Sequence, residues 1–147
     1  MTECPKVRKW MTPNPITITV DTPLMDAHRI MTENRVRRLP VLADGEIIGI
    51  VTLGDIRGAE PSEATSLNVW ELNYLLSRTT VARVMSRPVI TVPLDTSIAD
   101  AAQLMLENRI AGLPVVDGGA LVGIITESDI FRMVVEEWRQ PAAPVPA

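Results

Sequence analysis

The chain has 147 residues, 46% of them hydrophobic and 22% charged, which is enough apolar material for the core of one globular domain. A formal net charge of -4 and an aromatic content of 3% argue against a nucleic-acid partner, which needs basic phosphate contacts and stacking rings. One cysteine and one histidine exclude an internal disulfide and a two-histidine metal site. The sequence shows no signal peptide and no membrane span, so we expect a cytoplasmic protein with no membrane partner.

The sequence contains an internal repeat. A shift of 74 positions aligns residues 11–57 with residues 85–131 without a gap and with 20 identities in 47 positions. Identity of this extent at one fixed offset indicates two copies of one structural unit. We therefore predict repeat 1 at residues 1–58, a connecting loop and amphipathic helix at 59–80, repeat 2 at 81–138 and a disordered tail at 139–147.

Each copy begins with a strand and a helix. Runs rich in β-branched residues at 16–20 and 89–92 predict the strand. Apolar residues then recur at helical spacing, and Thr22 and Thr96 are the expected N-caps. The helix is expected to end near Asn34, and at the matching asparagine of the second copy.

A hairpin and a second helix complete each copy. Asp44-Gly45 and the matching glycine pair of the second copy predict tight turns between two strands. The last helix is clearest in the second copy, where five apolar residues form one stripe: Ile130, Phe131, Val134, Val135 and Trp138. The order β-α-β-β-α predicts a mixed α/β fold. A unit of this size buries too little surface alone, so the two copies are expected to pack as one module.

A helix-like segment at residues 67–76 lies between the copies and is apolar around most of its circumference. Such a helix needs burial on two sides. Two alternatives remain open, namely packing within the chain and contact with a second copy. The second alternative predicts a homodimer.

The duplicated motifs resemble those of tandem CBS (cystathionine-β-synthase-type) domains. The resemblance rests on Leu-Pro-Val at 39–41 and 113–115, and on the closing runs Gly-Ile-Val-Thr-Leu-Gly-Asp at 49–55 and Gly-Ile-Ile-Thr-Glu-Ser-Asp at 123–129. It implies two β-α-β-β-α CBS repeats related by a pseudo-two-fold axis, packed as one module and dimerising into a disc. It also implies a cleft between the repeats for an adenosine-containing ligand, such as AMP, ADP, ATP, NAD or S-adenosylmethionine.

The end of each closing run is the first candidate ligand site. It leads from a strand into a helix N-terminus, where unpaired N–H groups attract anions. Thr52 and Thr126 can offer a hydroxyl to a phosphate, and the resemblance implies that Asp55 and Asp129 accept the hydroxyls of a ribose. The alternative is a capping box, with Thr as the N-cap and Asp three residues later.

Two arginines form the second candidate. The resemblance implies that Arg37 and Arg38, directly before Leu-Pro, reach the phosphates of a ligand. The second copy has Ala111 and Gly112 there, so the two sites are expected to be unequal. A solvated basic face is the alternative. Whether these arginines serve the site of the first or of the second copy remains open.

The adenine base is expected to lie against aliphatic and backbone groups, because aromatic residues are scarce. The candidates for this contact are Ile16, Thr17, Ile90 and Thr91, while Pro40 and Pro114 are further candidate ligand contacts. The first four serve equally well as the core of a strand. Gly49 and Gly123 would allow a ligand to approach the strand backbone closely.

The sequence holds no nucleophile or acid–base cluster, so we expect neither an enzyme nor a catalytic cofactor. The leading hypothesis is a regulatory module with an adenine nucleotide as its ligand. Binding would change the packing of the repeats, and a separate effector protein would read that change. The alternative is a ligand-free dimerising scaffold.

Overall fold

The computed structural model describes residues 3–59 and 68–139. The chain divides into two compact units, which we call the repeat-1 unit (Pro15–Ile90) and the repeat-2 unit (Met1–Asn14 with Thr91–Ala147). Each unit contains the β-α-β-β-α order of one repeat, so the predicted mixed α/β fold is confirmed. Residues 60–67 of the predicted connecting segment (59–80) and residues 140–147 of the predicted tail (139–147) lie outside the described residues.

The repeat-1 unit is built on a three-stranded sheet of order β2-β3-β4, in which β2 and β3 are parallel and β3 and β4 are antiparallel. Its elements are β2 (Ile18–Thr19), α2 (Leu24–Asn34), β3 (Arg38–Ala43), β4 (Glu46–Thr52), α3 (Leu53–Gly58), α4 (Val69–Arg78) and a 3-10 turn (Val81–Arg83). One core is formed by the inward faces of the sheet and of α2 and α3, with Leu24, Met31, Leu39 and Val51 among its buried residues.

The repeat-2 unit has the same plan with one additional strand. Its sheet order is β1-β7-β6-β5. Its elements are α1 (Val7–Trp10), β1 (Thr12–Pro13), β5 (Val92–Pro93), α5 (Ile98–Asn108), β6 (Gly112–Asp117), β7 (Ala120–Thr126) and α6 (Glu127–Trp138). The buried residues Ile98, Met105, Leu113 and Ile125 correspond one for one to the four named in the first core.

Helices α2 and α5 end where the sequence predicts, but each begins one residue later than expected. The N-cap positions are Pro23 and Ser97, not Thr22 and Thr96. Ser97 accepts a hydrogen bond from the N–H of Asp100, whereas the Thr22 hydroxyl accepts one from the N–H of Thr19 in the preceding turn. The predicted N-caps were therefore wrong. The Thr22 hydroxyl bonds to the preceding turn, and in the second copy Ser97, one residue after Thr96, supplies the capping hydroxyl.

The hairpin turns form as predicted. Asp44 and Gly45 have φ of 51° and 80°, and Gly118 and Gly119 have φ of 58° and 86°. Two consecutive positive φ values fit the right-handed twist of the flanking strands, and Asp and Gly tolerate them. In each hairpin the strands pair along their length apart from one register shift, and Arg38 lies opposite Thr52 and Gly112 opposite Thr126 at the end away from the turn.

The segment before each repeat in the sequence packs on the sheet of the other repeat. In the repeat-1 unit, Ile50 and Ser86 exchange backbone hydrogen bonds of 3.2 and 2.8 Å, while β1 pairs with β7 in the repeat-2 unit. Methionine side chains fix both contacts. A Cβ on Gly49 would lie 2.8 Å from Sδ of Met85, and a Cβ on Gly123 would also collide with Met11.

This packing corrects the predicted role of the two glycines. They leave room for a methionine of the same unit, not for a ligand beside the strand. Of the apolar stripe predicted on α6, Phe131, Val135 and Trp138 are exposed, while the buried residues of this helix are Asp129 and Met133. No described helix is long and apolar enough to cross a membrane.

Gly49→Ala is expected to destabilise the protein by about 1–3 kcal/mol, because the added methyl group overpacks a filled position. Urea unfolding measures the change. Gly58→Ala is the matched control, since a Cβ there meets no atom of the described residues within 4 Å. Removing the obstructing side chain with Met85→Ala in the Gly49→Ala background should cost less than the sum of the two single variants. Full additivity would contradict this packing.

Candidate functional site

The candidate site is the corner at which the last strand of each hairpin enters the following helix. In the first corner the N–H of Asp55 donates to Oγ1 of Thr52 at 3.1 Å, and the N–H of Thr52 donates to Oδ2 of Asp55 at 2.9 Å. Thr126 and Asp129 form the same reciprocal pair in the second corner. The capping-box alternative is therefore confirmed in both repeats, and it leaves other atoms of each pair available for a ligand.

The two carboxylates differ in how completely the protein occupies them. Oδ2 of Asp129 accepts from both the N–H and the hydroxyl of Thr126, at 2.9 and 3.0 Å, and its Oδ1 accepts from Arg132 at 2.9 Å. Asp129 is 4% exposed. Asp55 is only partly buried, and within residues 3–59 and 68–139 no donor reaches its Oδ1. The first corner therefore offers an acceptor that the second does not.

A basic pocket of about 350 Å³ adjoins the first corner. Its lining residues are Arg37, Arg38, Thr52, Leu53, Gly54 and Arg57. The backbone explains why these side chains meet, since the N–H of Leu53 donates to the carbonyl oxygen of Arg37 at 2.8 Å. The structure thus brings both predicted arginines together with the predicted threonine. Three guanidinium groups around one pocket favour an anion carrying several negative charges.

Arg57 was not singled out from the sequence, although it lines this pocket. It lies on α3, five residues after Thr52. The signal that could have identified it is the repeat itself, because the shift of 74 positions aligns Arg57 with Phe131. A basic residue that replaces an apolar one in otherwise similar copies points to a difference in what each copy binds.

The residues predicted to contact the base lie in different environments. Ile16 is 39% exposed and Thr17 is exposed, so the alternative of a strand core is wrong for both. They precede β2 because the strand is shorter than the predicted run at 16–20. Ile90 and Thr91 are half-buried. Their contact with a base stays a prediction.

Pro40 and Pro114 lie inside β3 and β6, opposite Ile50 and Ile124. Pro40 is fully buried and Pro114 is buried. Their rings therefore contribute to the cores, and their role at a ligand stays a prediction. The described residues contain no group of three or more His, Cys, Asp or Glu side chains that could hold a metal ion.

Comparison with known proteins identifies the repeated unit. The sequence profile of the CBS domain matches residues 7–62 and 81–136. A CBS domain-containing protein of Dictyostelium discoideum is 32% identical over 132 residues, which cover 88% of this chain and 91% of that protein.

Two other relatives are much longer than this chain. An uncharacterized protein of Methanocaldococcus jannaschii is 36% identical over 135 residues, covering 89% of this chain and 32% of the relative. Inosine-5′-monophosphate dehydrogenase of Thermoplasma acidophilum is 36% identical over 116 residues, covering 78% of this chain and 21% of the enzyme. The chain therefore spans a third or less of the length of these two relatives.

Solved structures share both the fold and the duplication. The CBS domain pair of protein MJ0100, in complex with 5′-methylthioadenosine and S-adenosyl-L-methionine, has a TM-score of 0.76 at 28% identity and covers 92% of this chain and 99% of its own. CBSX2 in complex with AMP has a TM-score of 0.74 at 30% identity, covering 91% and 98%. The chain therefore belongs to the CBS domain family and carries two copies of the domain.

Proposed function

We propose that this protein is a non-catalytic regulatory module that binds an adenosine-containing ligand. The observation that carries the proposal is the basic pocket lined by Thr52, whose capping partner Asp55 has one carboxylate oxygen that no described residue occupies. Similar CBS structures hold AMP, 5′-methylthioadenosine or S-adenosyl-L-methionine, which supports an adenosine ligand here.

Each group in the first corner has a defined task in this proposal. Oδ1 of Asp55 accepts a hydrogen bond from a ribose hydroxyl, while Oδ2 continues to cap the helix. The hydroxyl of Thr52 accepts from the N–H of Asp55, and its own proton remains available for a phosphate oxygen. The guanidinium groups of Arg37 and Arg57 donate to the phosphates in a geometry that suits planar, bidentate contacts.

Regulation follows if the ligand binds two arrangements of the protein with different affinity. A ligand that favours one arrangement shifts the population toward it, and a separate effector protein reads the shift. The enzyme relative matches this chain over 21% of its length, which supports an accessory role for the shared segment. We place the activity in the cytoplasm and assign no catalytic cofactor to it.

Asp55→Ala is expected to weaken the binding of an adenosine-containing ligand by about 10-fold or more, because a ribose hydroxyl loses a charged acceptor. Isothermal titration with AMP, ADP, ATP, NAD and S-adenosylmethionine measures the affinities. Asp117→Ala is the matched control, since Asp117 is exposed at the turn end of β6. Failure of all five ligands to bind the unaltered protein at millimolar concentration would contradict the proposed function.

The second part of the proposal is that two copies of the chain associate through α4. No residue of α4 is buried, and Trp70 is 83% exposed, as are large parts of Val69 and Tyr74. The opposite side packs on α2, with Leu76 against the core. One face of the helix thus packs within the chain, and we propose that the exposed face contacts a second copy.

Charge favours a second copy as the occupant of the exposed face. Glu71 lies in the first turn of α4 and Arg78 in the last. When two such helices pair in antiparallel fashion, Glu71 of each copy lies beside Arg78 of the other, which is the self-complementary pattern of a two-fold interface.

Trp70→Ala is expected to raise the dissociation constant of the homodimer by at least about 10-fold, because tryptophan at the centre of an interface commonly contributes 2 kcal/mol or more. Sedimentation velocity over a range of concentrations measures the assembly. Trp138→Ala is the matched control, since Trp138 is an exposed tryptophan on α6. Unchanged assembly of Trp70→Ala, or dissociation caused by Trp138→Ala, would contradict an interface on α4.

A further inference from the structure

The two corners share one backbone arrangement. The N–H of Leu53 donates to the carbonyl oxygen of Arg37 at 2.8 Å, and the N–H of Glu127 donates to that of Ala111 at 3.0 Å. Both threonines cap the following helix and accept from an aspartate N–H. Any difference in what the corners bind must therefore come from their side chains.

The side chains around the corners differ in charge. Arg37, Arg38 and Arg57 of the first repeat align with Ala111, Gly112 and Phe131 of the second. Arg37 and Arg57 are exposed and form no ion pair within residues 3–59 and 68–139. In the second corner the residue after the threonine is Glu127, where the first has Leu53. A phosphate group is therefore attracted to the first corner and repelled by the carboxylate beside the second.

The hydrogen bonds differ in the same direction. The hydroxyl of Thr126 donates to Asp129, and Arg132 occupies the remaining oxygen of that carboxylate. Thr52 makes no such donation among the described residues, and the position that aligns with Arg132 is Gly58. The second corner has thus used its hydroxyl proton and both carboxylate oxygens on its own helix cap, whereas the first corner retains a donor and an acceptor.

We propose that, of the two corners, the first alone binds phosphate and takes an adenosine ligand with two or three phosphates, while the second corner serves as a helix cap. This inference rests on the proposed function. Arg57 is its specificity-determining residue, because it brings a guanidinium group to the pocket from α3, whereas the other two arginines precede a Leu-Pro pair. Arg37 and Arg57 form no ion pair among the described residues, so their donors favour a diphosphate or triphosphate, which offers more acceptor oxygens than AMP.

The experiment is isothermal titration of the full chain with ATP, ADP, AMP and adenosine. The expected result is one phosphate-dependent site per chain, with ADP and ATP bound at least about 10-fold more tightly than AMP, since each added phosphate gains charge-assisted hydrogen bonds. Arg57→Gln should reduce ADP affinity by about 10-fold and leave adenosine affinity within about twofold. Arg57→Lys keeps the charge but not the bidentate geometry, so its ADP affinity should lie between those of the unaltered protein and of Arg57→Gln.

Two controls separate the corners. Arg83→Gln removes an exposed arginine that lies outside the pocket and should leave ADP affinity unchanged. Asp129→Ala should lower the thermal midpoint, because it removes a cap and an ion pair, while ADP still binds. Circular dichroism confirms that each variant is folded.

The outcomes distinguish this inference from the function on which it rests. Two equivalent phosphate sites, equal affinity for adenosine and ADP, or an unaltered ADP affinity in folded Arg57→Gln would overturn the inference and leave an adenosine-binding module. Loss of ADP binding in folded Asp129→Ala would also overturn it. Failure of the unaltered protein to bind any adenosine compound would overturn both.

Discussion

Each repeat depends on the packing of a methionine side chain against a strand glycine and on the backbone hydrogen bonds beside that contact. The three strands that each repeat contributes itself, β2-β3-β4 and β5-β6-β7, leave one edge of β4 and of β7 unpaired. The segment that precedes the other repeat in the sequence covers that edge, with Met85 over Gly49 and Met11 over Gly123. Each repeat is therefore completed by residues that are distant in the sequence, so neither repeat contains all of its own structure.

The Thr-x-x-Asp motif at each corner caps a helix and, in our proposal, also contacts a ligand in the first repeat. Thr-x-x-Asp begins the helix that follows the last strand of each hairpin, so the corner must first satisfy the unpaired N–H groups of that helix. What remains after capping decides whether a corner can recognise a ligand. In the second repeat Arg132 and the Thr126 hydroxyl both donate to the carboxylate of Asp129. In the first repeat the position of Arg132 is taken by Gly58, which brings no side chain to Asp55. Duplication thus provides one fold with two different chemistries.

Much of the fold was readable because both copies carry the same periodic signals. The hairpin turns and the helix ends are encoded by local residues. At the turns, for example, Gly45 and Gly119 adopt positive φ. The N-caps were misplaced because the choice between Thr22 and Pro23 depends on where Thr79 accepts from the N–H of Leu24. On α6, likewise, periodicity identifies an apolar stripe without showing which residues of the helix meet the core.

The family, the duplication and the residue types at both corners could be read from the amino-acid sequence, because they follow from identities at one offset. The folded structure was needed to show that Arg57 joins Arg37 and Arg38 in one pocket, that Arg132 bonds to Asp129, and that the strand glycines make room for methionines. The physical reason is the distance along the sequence between the residues that interact. Turns, caps and repeats are encoded within a few residues, whereas a pocket or a filled cavity depends on side chains that meet only after the chain has folded.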